Sequence, residues 1–158
     1  MSDDGLRFVV FGRPQGKGSK RVLPIRGKTR VGGHHIVLVD SNKNAAPWAH
    51  RVSTAAAHAM ADRARGGEIR LARHGVVVEM AFYFARPKGH YGRGRNAKQL
   101  LPSAPKDMAT MPDVDKLARC AIDALSGVVI VDDSQIVELY ASKHYGEPER
   151  LEAAVHEL

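Results

Sequence analysis

Residues 113–125 read DVDKLARCAIDAL, and they carry the clearest helical pattern in the chain. Apolar side chains recur three and four positions apart, so one face of a helix here would be apolar along its whole length. The members of this stripe are Val114, Leu117, Ala118, Ala121, Ile122 and Leu125. Asp113 suits the N-cap position, and Gly127 suits the end of the helix. The opposite face carries three charged side chains: Asp115, Arg119 and Asp123.

The segments around this helix favour β-structure, with one further helix. Alternation and β-prone residues predict strands at residues 6–11, 36–39, 75–84, 128–131, 136–144 and 151–158. A second helix is predicted from residue 44 to about residue 65, with Trp48 as a core anchor and Gly66 and Gly67 as the stop. Two long basic segments, residues 12–35 and 86–110, are predicted loops, and the first has room for a short hairpin. The expected fold is a single α+β domain over residues 1–158, with a mixed β-sheet and two main helices packed against it.

The composition excludes several classes of protein. The single cysteine, Cys120, rules out an intrachain disulfide framework and a cysteine-cluster zinc site, and its place in the helix predicts a small packed side chain. No apolar run approaches the roughly 20 residues of a membrane span, and the acidic N-terminus lacks the pattern of a signal peptide. We expect a cytoplasmic protein with no membrane partner.

The charge is divided very unevenly along the chain. Residues 1–112 carry 20 Lys and Arg against 7 Asp and Glu, whereas residues 113–158 carry 4 against 10. No acidic residue occurs in residues 5–39 or in residues 81–106, although both stretches are rich in Lys and Arg. One such stretch would be explained by solubility alone, but two favour a polyanion partner, in particular nucleic acid. The candidate DNA contacts are Lys17, Lys20, Arg21, Arg86, Lys88, Tyr91, Arg93, Arg95 and Lys98. Tyr91 is the candidate for stacking on a base.

A stretch near the N-terminus has a superficial similarity to a nucleotide-binding loop. Residues 12–19 read GRPQGKGS, but position 17 is Lys where the phosphate-binding motif requires Gly. We therefore expect no nucleotide cofactor.

Four carboxylates stand at two chain turns in this otherwise basic protein: Asp113 and Asp115, then Asp132 and Asp133. Carboxylates repel the phosphates of DNA, so their concentration here favours a bound hard cation such as Mg²⁺ or Mn²⁺. Each also has a structural explanation. Asp113 would cap the helix, Asp115 would sit favourably in its first turn, and the later pair would shape an Asx turn. Taken singly these explanations are stronger than a metal site, but they do not account for Lys116 and Arg119 at the same helix entrance.

The pattern closely resembles the RusA family of Holliday junction resolvases, found in phages, prophages and bacteria. The residues that carry the resemblance are PDVDKL at 112–117, Arg119, DALSG at 123–127 and DDSQIV at 132–137. A weaker resemblance extends to residues 8–21 and 82–91. It implies a Mg²⁺-dependent endonuclease that works as a homodimer on four-way DNA junctions, in a bacterial or phage-infected cytoplasm. It also implies Asp113 and Asp115 as metal ligands, with Asp133 as the third and Asp132 beside it.

The resemblance leaves the cationic catalytic role open between Lys116 and Arg119. Arg keeps its charge but cannot donate a proton at working pH. Two other functions remain open: a nuclease for other branched DNA such as flaps or forks, and a DNA-binding protein without catalysis. The metal hypothesis depends on one expectation, namely that acidic side chains from distant parts of the chain converge within a few ångströms.

Overall fold

The computed structural model describes residues 5–26, 34–65, 67 and 72–158, with the backbone alone for residues 21–26 and 34–40. Its main elements are β1 (Leu6–Phe11), β2 (Lys20–Arg26), β3 (His34–Asp40), α1 (Ala45–Ala64), β4 (Val76–Phe84), α2 (Val114–Leu125), β5 (Ile136–Tyr145) and β6 (Arg150–Glu157). Three short 3₁₀ helices lie at Lys88–His90, Gly94–Asn96 and Asp133–Gln135.

The main sheet has four strands in the order β1-β6-β4-β5. Strand β6 runs antiparallel to both β1 and β4, whereas β5 runs parallel to β4. Because β4 and β5 are parallel, the chain must cross over between them, and α2 lies in that crossover. The predicted α+β fold with a mixed sheet and two main helices is confirmed. Strands β2 and β3 form a separate antiparallel pair.

The core lies between one face of this sheet and the two helices. Alternate residues of β4 are buried, and they are Val76, Val78, Met80, Phe82 and Phe84. Trp48 and Val52 of α1 join this core, together with Leu117 and Leu125 of α2. The other face of the sheet is not covered by either helix, and Arg7 and Glu79 are exposed there. This one-sided arrangement places the helices, and the residues that begin them, over a single surface of the sheet.

Several predictions about elements are confirmed, and their packing explains why. The stripe of α2 is buried along the helix, with Val114 and Ile122 half-buried. Trp48 is a core residue, and buried Cys120 directs its Sγ at the Ala45 carbonyl oxygen at 3.8 Å. No helix in the part of the chain that the structure describes is long and apolar enough to span a membrane.

The predicted strand at residues 128–131 is wrong. After α2 the chain enters a tight turn, in which Gly127 has φ +76° and the amides of Val128 and Val129 donate to the Leu125 carbonyl. Val129 and Ile130 are buried in the core, and Ile130 makes only isolated bridges. The apolar run reflects burial, which a turn can provide as well as a strand.

Two boundaries also differ from expectation. Helix α1 ends at Ala64, and Arg65 takes the left-handed conformation, with φ 45°, that the sequence assigned to the glycines. Gly66 lies outside the described residues. The predicted basic loop at residues 12–35 contains β2 and the start of β3, so the hairpin occupies much of it, while residues 27–33 lie outside the described part.

Candidate active site at the start of helix α2

Asp113, Asp115 and Lys116 form a charged cluster where α2 begins. Asp113 occupies the N-cap position, as predicted, but its side chain makes no capping hydrogen bond. Instead, Lys116 Nζ donates to Asp113 Oδ2 at 2.9 Å. This hydrogen bond is the main reason that the pKa of Lys116 lies above its ordinary value, and the charges of Asp113 and Asp115 raise it further. Lys116 therefore remains an ammonium group throughout the neutral range.

The glycine-rich loop of residues 12–19 lies directly against this cluster. The Lys17 amide donates to the Lys116 carbonyl at 3.0 Å. A Cβ atom added to Gly16 would lie 3.1 Å from Lys116 Cβ and 3.3 Å from its carbonyl carbon. Asn42 holds the other side of the loop, because its Nδ2 donates to the Gly16 carbonyl at 2.8 Å. Gly16 thus lets the loop approach the helix more closely than a larger residue would.

A groove of about 420 Å³ runs between the loop and the helix entrance. Its charged lining residues are Arg13, Lys17, Asp113 and Lys116. Lys17 was predicted to bind DNA, and in the structure its ammonium group also pairs with Asp123 on the charged face of α2. The groove therefore combines cations suited to a phosphate with a carboxylate suited to a metal ion.

Lys143 holds the backbone that leads into the cluster, and sequence reasoning missed this residue. Its Nζ donates to the carbonyls of Thr110 and Pro112, at 2.6 and 2.9 Å. The register pairs Lys143 with Phe82, on the face of β5 that also carries Ala141 and Tyr145. The sequence did offer a signal, namely a lysine at a strand position that should face the core. Buried ammonium groups need oxygen partners.

The second acidic pair shapes a turn at the start of β5. Asp132 Oδ1 accepts a hydrogen bond from the Ser134 amide at 3.0 Å, and bonds from Ser134 are the main reason that the pKa of Asp132 lies below its ordinary value. Gln135 completes a capping box by accepting from the Asp132 amide at 3.1 Å. Gln135 Nε2 also donates to the Ala72 carbonyl at 2.9 Å. The Asx-turn explanation thus holds for Asp132, while Asp133 stays exposed beside it.

The two acidic pairs do not converge within one chain. Lys143 ties Pro112 to the C-terminal end of β5, whereas Asp133 lies three residues before the strand begins at Ile136. The 12 residues of α2 span about 18 Å, and the 10 residues of β5 span about 33 Å. Among the described residues, no group of three or more His, Cys, Asp and Glu side chains could hold a metal ion. The expectation of one shared pocket inside a single chain is therefore wrong.

The remaining candidate residues fall into two groups. Arg86 serves the fold, since its Nη1 donates to the Pro105 carbonyl at 2.7 Å and its guanidinium lies 4.4 Å from the centroid of the Tyr145 ring. Arg119 is exposed on α2, and Lys20 is exposed at the start of β2. Four of the predicted DNA contacts are exposed on the second basic segment: Lys88, Arg93, Arg95 and Lys98. The side chain of Arg21 lies outside the described part of the structure.

Comparison with known proteins shows the family to which the chain belongs. A family model described as Endodeoxyribonuclease RusA matches residues 23–156, a range that includes the charged cluster and all of α2 and β5. The match defines an enzyme that cuts within DNA. The chain belongs to the RusA family, whose members act on branched DNA junctions. It is also similar to a Bacillus subtilis (strain 168) protein named Uncharacterized protein YqaN, with 28% identity over 166 residues that cover 98% of each chain.

Proposed function

We propose that this protein resolves four-way DNA junctions as a homodimer, by Mg²⁺-dependent hydrolysis of one phosphodiester bond in each of two opposed strands. The observation that carries the proposal is the charged cluster beside the cationic groove, in a chain of the RusA family. Two symmetric cuts require two sites, which a two-fold dimer would supply.

The chemistry of the cluster fits a hard divalent ion. Asp113 and Asp115 supply carboxylate oxygens, the ligands that Mg²⁺ and Mn²⁺ prefer. The Lys116 ammonium group already lies 2.9 Å from Asp113 Oδ2, so positive charge is favoured beside this carboxylate. When bound, the metal ion would activate a water molecule and offset negative charge on the phosphate. Lys116 would then be released from Asp113 to contact the phosphate itself.

The third ligand in this proposal is Asp133 of the partner subunit. Strand β5 lies at the edge of the sheet, and an edge strand offers unpaired backbone groups to a second copy. Its exposed apolar side chains are consistent with such a contact: Val137 is 64% exposed, Leu139 44% and Tyr140 59%. If two β5 strands pair antiparallel about Leu139, the partner's Ile136 faces Ser142 across a strand spacing of about 4.8 Å. The partner's Asp133, in the 3₁₀ helix just before Ile136, would then lie near the Tyr145 end of this β5. That end of β5 carries Lys143, which holds Pro112 beside Asp113.

The other residues of the groove would bind and orient the DNA. Arg13 and Lys17 are cationic and line the groove, so they are suited to the phosphates on either side of the bond that is cut. A lysine ammonium group keeps its proton at neutral pH, which suits Lys116 to stabilise developing charge and not to act as a base. Lys143 would act indirectly, by holding the backbone that precedes Asp113.

Mixing of inactive variants tests this arrangement. Asp115→Asn and Asp133→Asn should each abolish cleavage of a synthetic four-way junction in Mg²⁺. After subunit exchange, a mixed dimer would have one site with both residues intact and one site with neither. We expect single-strand nicking to return in the mixture, measured on denaturing gels with each junction strand labelled in turn.

A second mixture provides the matched control. Asp113→Asn and Asp115→Asn alter the same half of the site, so a mixture of these two variants should remain inactive. Nicking by neither mixture, from variants that fold and exchange subunits, would contradict the shared site. A wild-type protein that cuts no branched DNA in Mg²⁺ or Mn²⁺ would contradict the proposed function as a whole.

A further inference from the structure

The basic segment between β4 and α2 is a folded platform. Arg86 closes its base through the carbonyls of Pro105 and Lys106, at 2.7 and 3.3 Å. Within the segment, the Gly92 amide donates to the Gln99 carbonyl and the Leu101 amide donates to the His90 carbonyl, both at 2.9 Å. Tyr91 and Leu100 form an antiparallel bridge between these bonds. These bonds hold the backbone of the segment in one arrangement, which a binding site requires.

A groove of about 790 Å³ opens on this platform, beside the half-buried ring of Tyr91. Its other side-chain-bearing lining residues are Lys88, Arg93, Ala97 and Leu101. Leu100, next to it in the chain, is 51% exposed. A groove of this volume lies within the usual range for small-ligand sites, about 300–1,000 Å³. An aromatic and apolar lining on so exposed and cationic a loop indicates a ligand with both flat apolar faces and negative charge.

From this lining we infer that the groove binds an unpaired nucleobase of the branched DNA, with the ring of Tyr91 stacked against it. Residues 81–106 contain six Lys and Arg and no acidic residue, so the surface around the groove complements a phosphate backbone. A base in duplex DNA has both faces covered by its neighbours, whereas a base at a branch point can leave the stack at low cost. The inference rests on the proposed function, since it takes branched DNA as the substrate.

The position of the platform places such a base near the bond that is cut. The segment begins where β4 ends and finishes at the charged cluster where α2 begins, and Lys143 of β5 lies in register with Phe82 near the end of β4. Lys143 holds Thr110 and Pro112 at this junction. A base held on Tyr91 would therefore anchor the branch point beside Asp113 and set which phosphate enters the active-site groove.

Binding without catalysis tests the inference. The full chain is titrated, with no divalent metal, against a synthetic four-way junction that carries 2-aminopurine at the branch point and against a linear duplex of equal length. We expect Tyr91→Ala to weaken junction binding about tenfold and to leave duplex binding within twofold, because one base-stacking contact is lost. Wild-type protein should raise the 2-aminopurine fluorescence as the base leaves the stack. This rise should disappear with Tyr91→Ala. Tyr91→Phe retains the ring and should behave as wild type.

Two further variants guard against a simple loss of folding. A Cβ atom added at Gly89, which lines the groove, would meet nothing within 4 Å, so Gly89→Leu adds bulk without disturbing the platform. It should reproduce the junction-specific loss. Arg95 is exposed and is not among the lining residues of the groove. Arg95→Ala should therefore weaken junction and duplex binding alike, through lost phosphate contact.

The outcomes separate this inference from the proposed function. If Tyr91→Ala and Gly89→Leu both bind the junction as wild type does, or weaken junction and duplex equally, the nucleobase site is overturned. Neither result concerns the chemistry at Asp113 and Asp115. Conversely, a wild-type protein that shows the junction-specific signal but never cuts would remove the proposed resolvase activity and leave the binding site standing.

Discussion

Lys116 and Arg119 are three positions apart on α2, but only Lys116 is built into the charged cluster. The Lys116 ammonium group is held by Asp113, and its backbone carbonyl accepts from the Lys17 amide of the adjacent loop. Arg119 lies outward on an exposed part of the helix. The contacts of Lys116 therefore favour it for the cationic role that the sequence left open between the two residues.

Substitution of each cation should separate their roles. Lys116→Gln should lower kcat on a four-way junction about a hundredfold, because a charge that stabilises the transition state is lost. Arg119→Gln should lower kcat less than fivefold. Single-turnover cleavage at saturating protein measures both, and thermal melting confirms that both variants fold. A larger loss for Arg119→Gln would reverse this assignment.

Sequence reasoning brought the residues of the charged cluster together but missed the loop that packs against them. The motif placed Asp113, Asp115 and Lys116 correctly at a helix entrance, because local spacing determines which residues share one helical turn. It could not show that Gly16 contacts Lys116, since residues a hundred positions apart meet only through the fold. The loop around Gly16 was judged only as a failed phosphate-binding motif, whereas the glycine serves a close backbone approach.

At the scale of elements, periodicity predicted individual helices and strands but not the order in which the strands pair. Helix α2 and strands β1 and β4 follow directly from repeats of 3.6 and 2 residues. The order β1-β6-β4-β5 does not follow from any repeat, because pairing depends on long-range contacts. That order also determines that β5 is an edge strand and that Asp133 lies far from Asp113. The error about a metal pocket in one chain is thus an error of topology and not of motif.

A carboxylate near the C-terminus ties the start of β4 to β6. Glu157 Oε1 accepts from the amides of Arg73 and His74, at 2.9 and 3.1 Å. The bond from Arg73, and then that from His74, hold the pKa of Glu157 below its ordinary value. A lowered carboxyl pKa contributes stability that is fully present above the ordinary pKa and is lost as pH falls through the lowered one.

We expect this tie to loosen in acid. Hydrogen exchange protection of the Arg73 and His74 amides should be constant near neutrality and fall below about pH 4. Glu157→Ala should abolish the protection at every pH. Glu152→Ala is the control, because Glu152 pairs with Arg150 on the open face of the sheet and should leave both amides unchanged. Protection that persists in acid would show that the ionised carboxylate does not hold this segment.

At the scale of the whole molecule, the distribution of surfaces supports a dimer through one edge of the sheet. Strand β5 presents exposed apolar side chains on the edge next to α2, while β1 forms the opposite edge. Leu139 of β5 and Val9 of β1 are equally exposed, at 44% each. These two residues therefore offer a matched comparison of the two edges.

A lysine at each edge should distinguish them. Leu139→Lys places like charges face to face at the proposed two-fold axis, and we expect a folded monomer that no longer cuts junctions. Val9→Lys should remain dimeric and active. Analytical ultracentrifugation gives the association state, and circular dichroism shows whether each variant keeps its fold. A dimeric, fully active Leu139→Lys variant would exclude pairing through β5.

Strand β5 has Asp133 just before one end and Lys143, the support of Asp113, near the other. On the proposed arrangement, a single subunit carries one half of each of two active sites and no complete site. Newly made protein could then encounter the genome without harming it. While copies are scarce, cutting capacity would grow with the square of their number, so a modest change in expression would switch the nuclease between harmless and active.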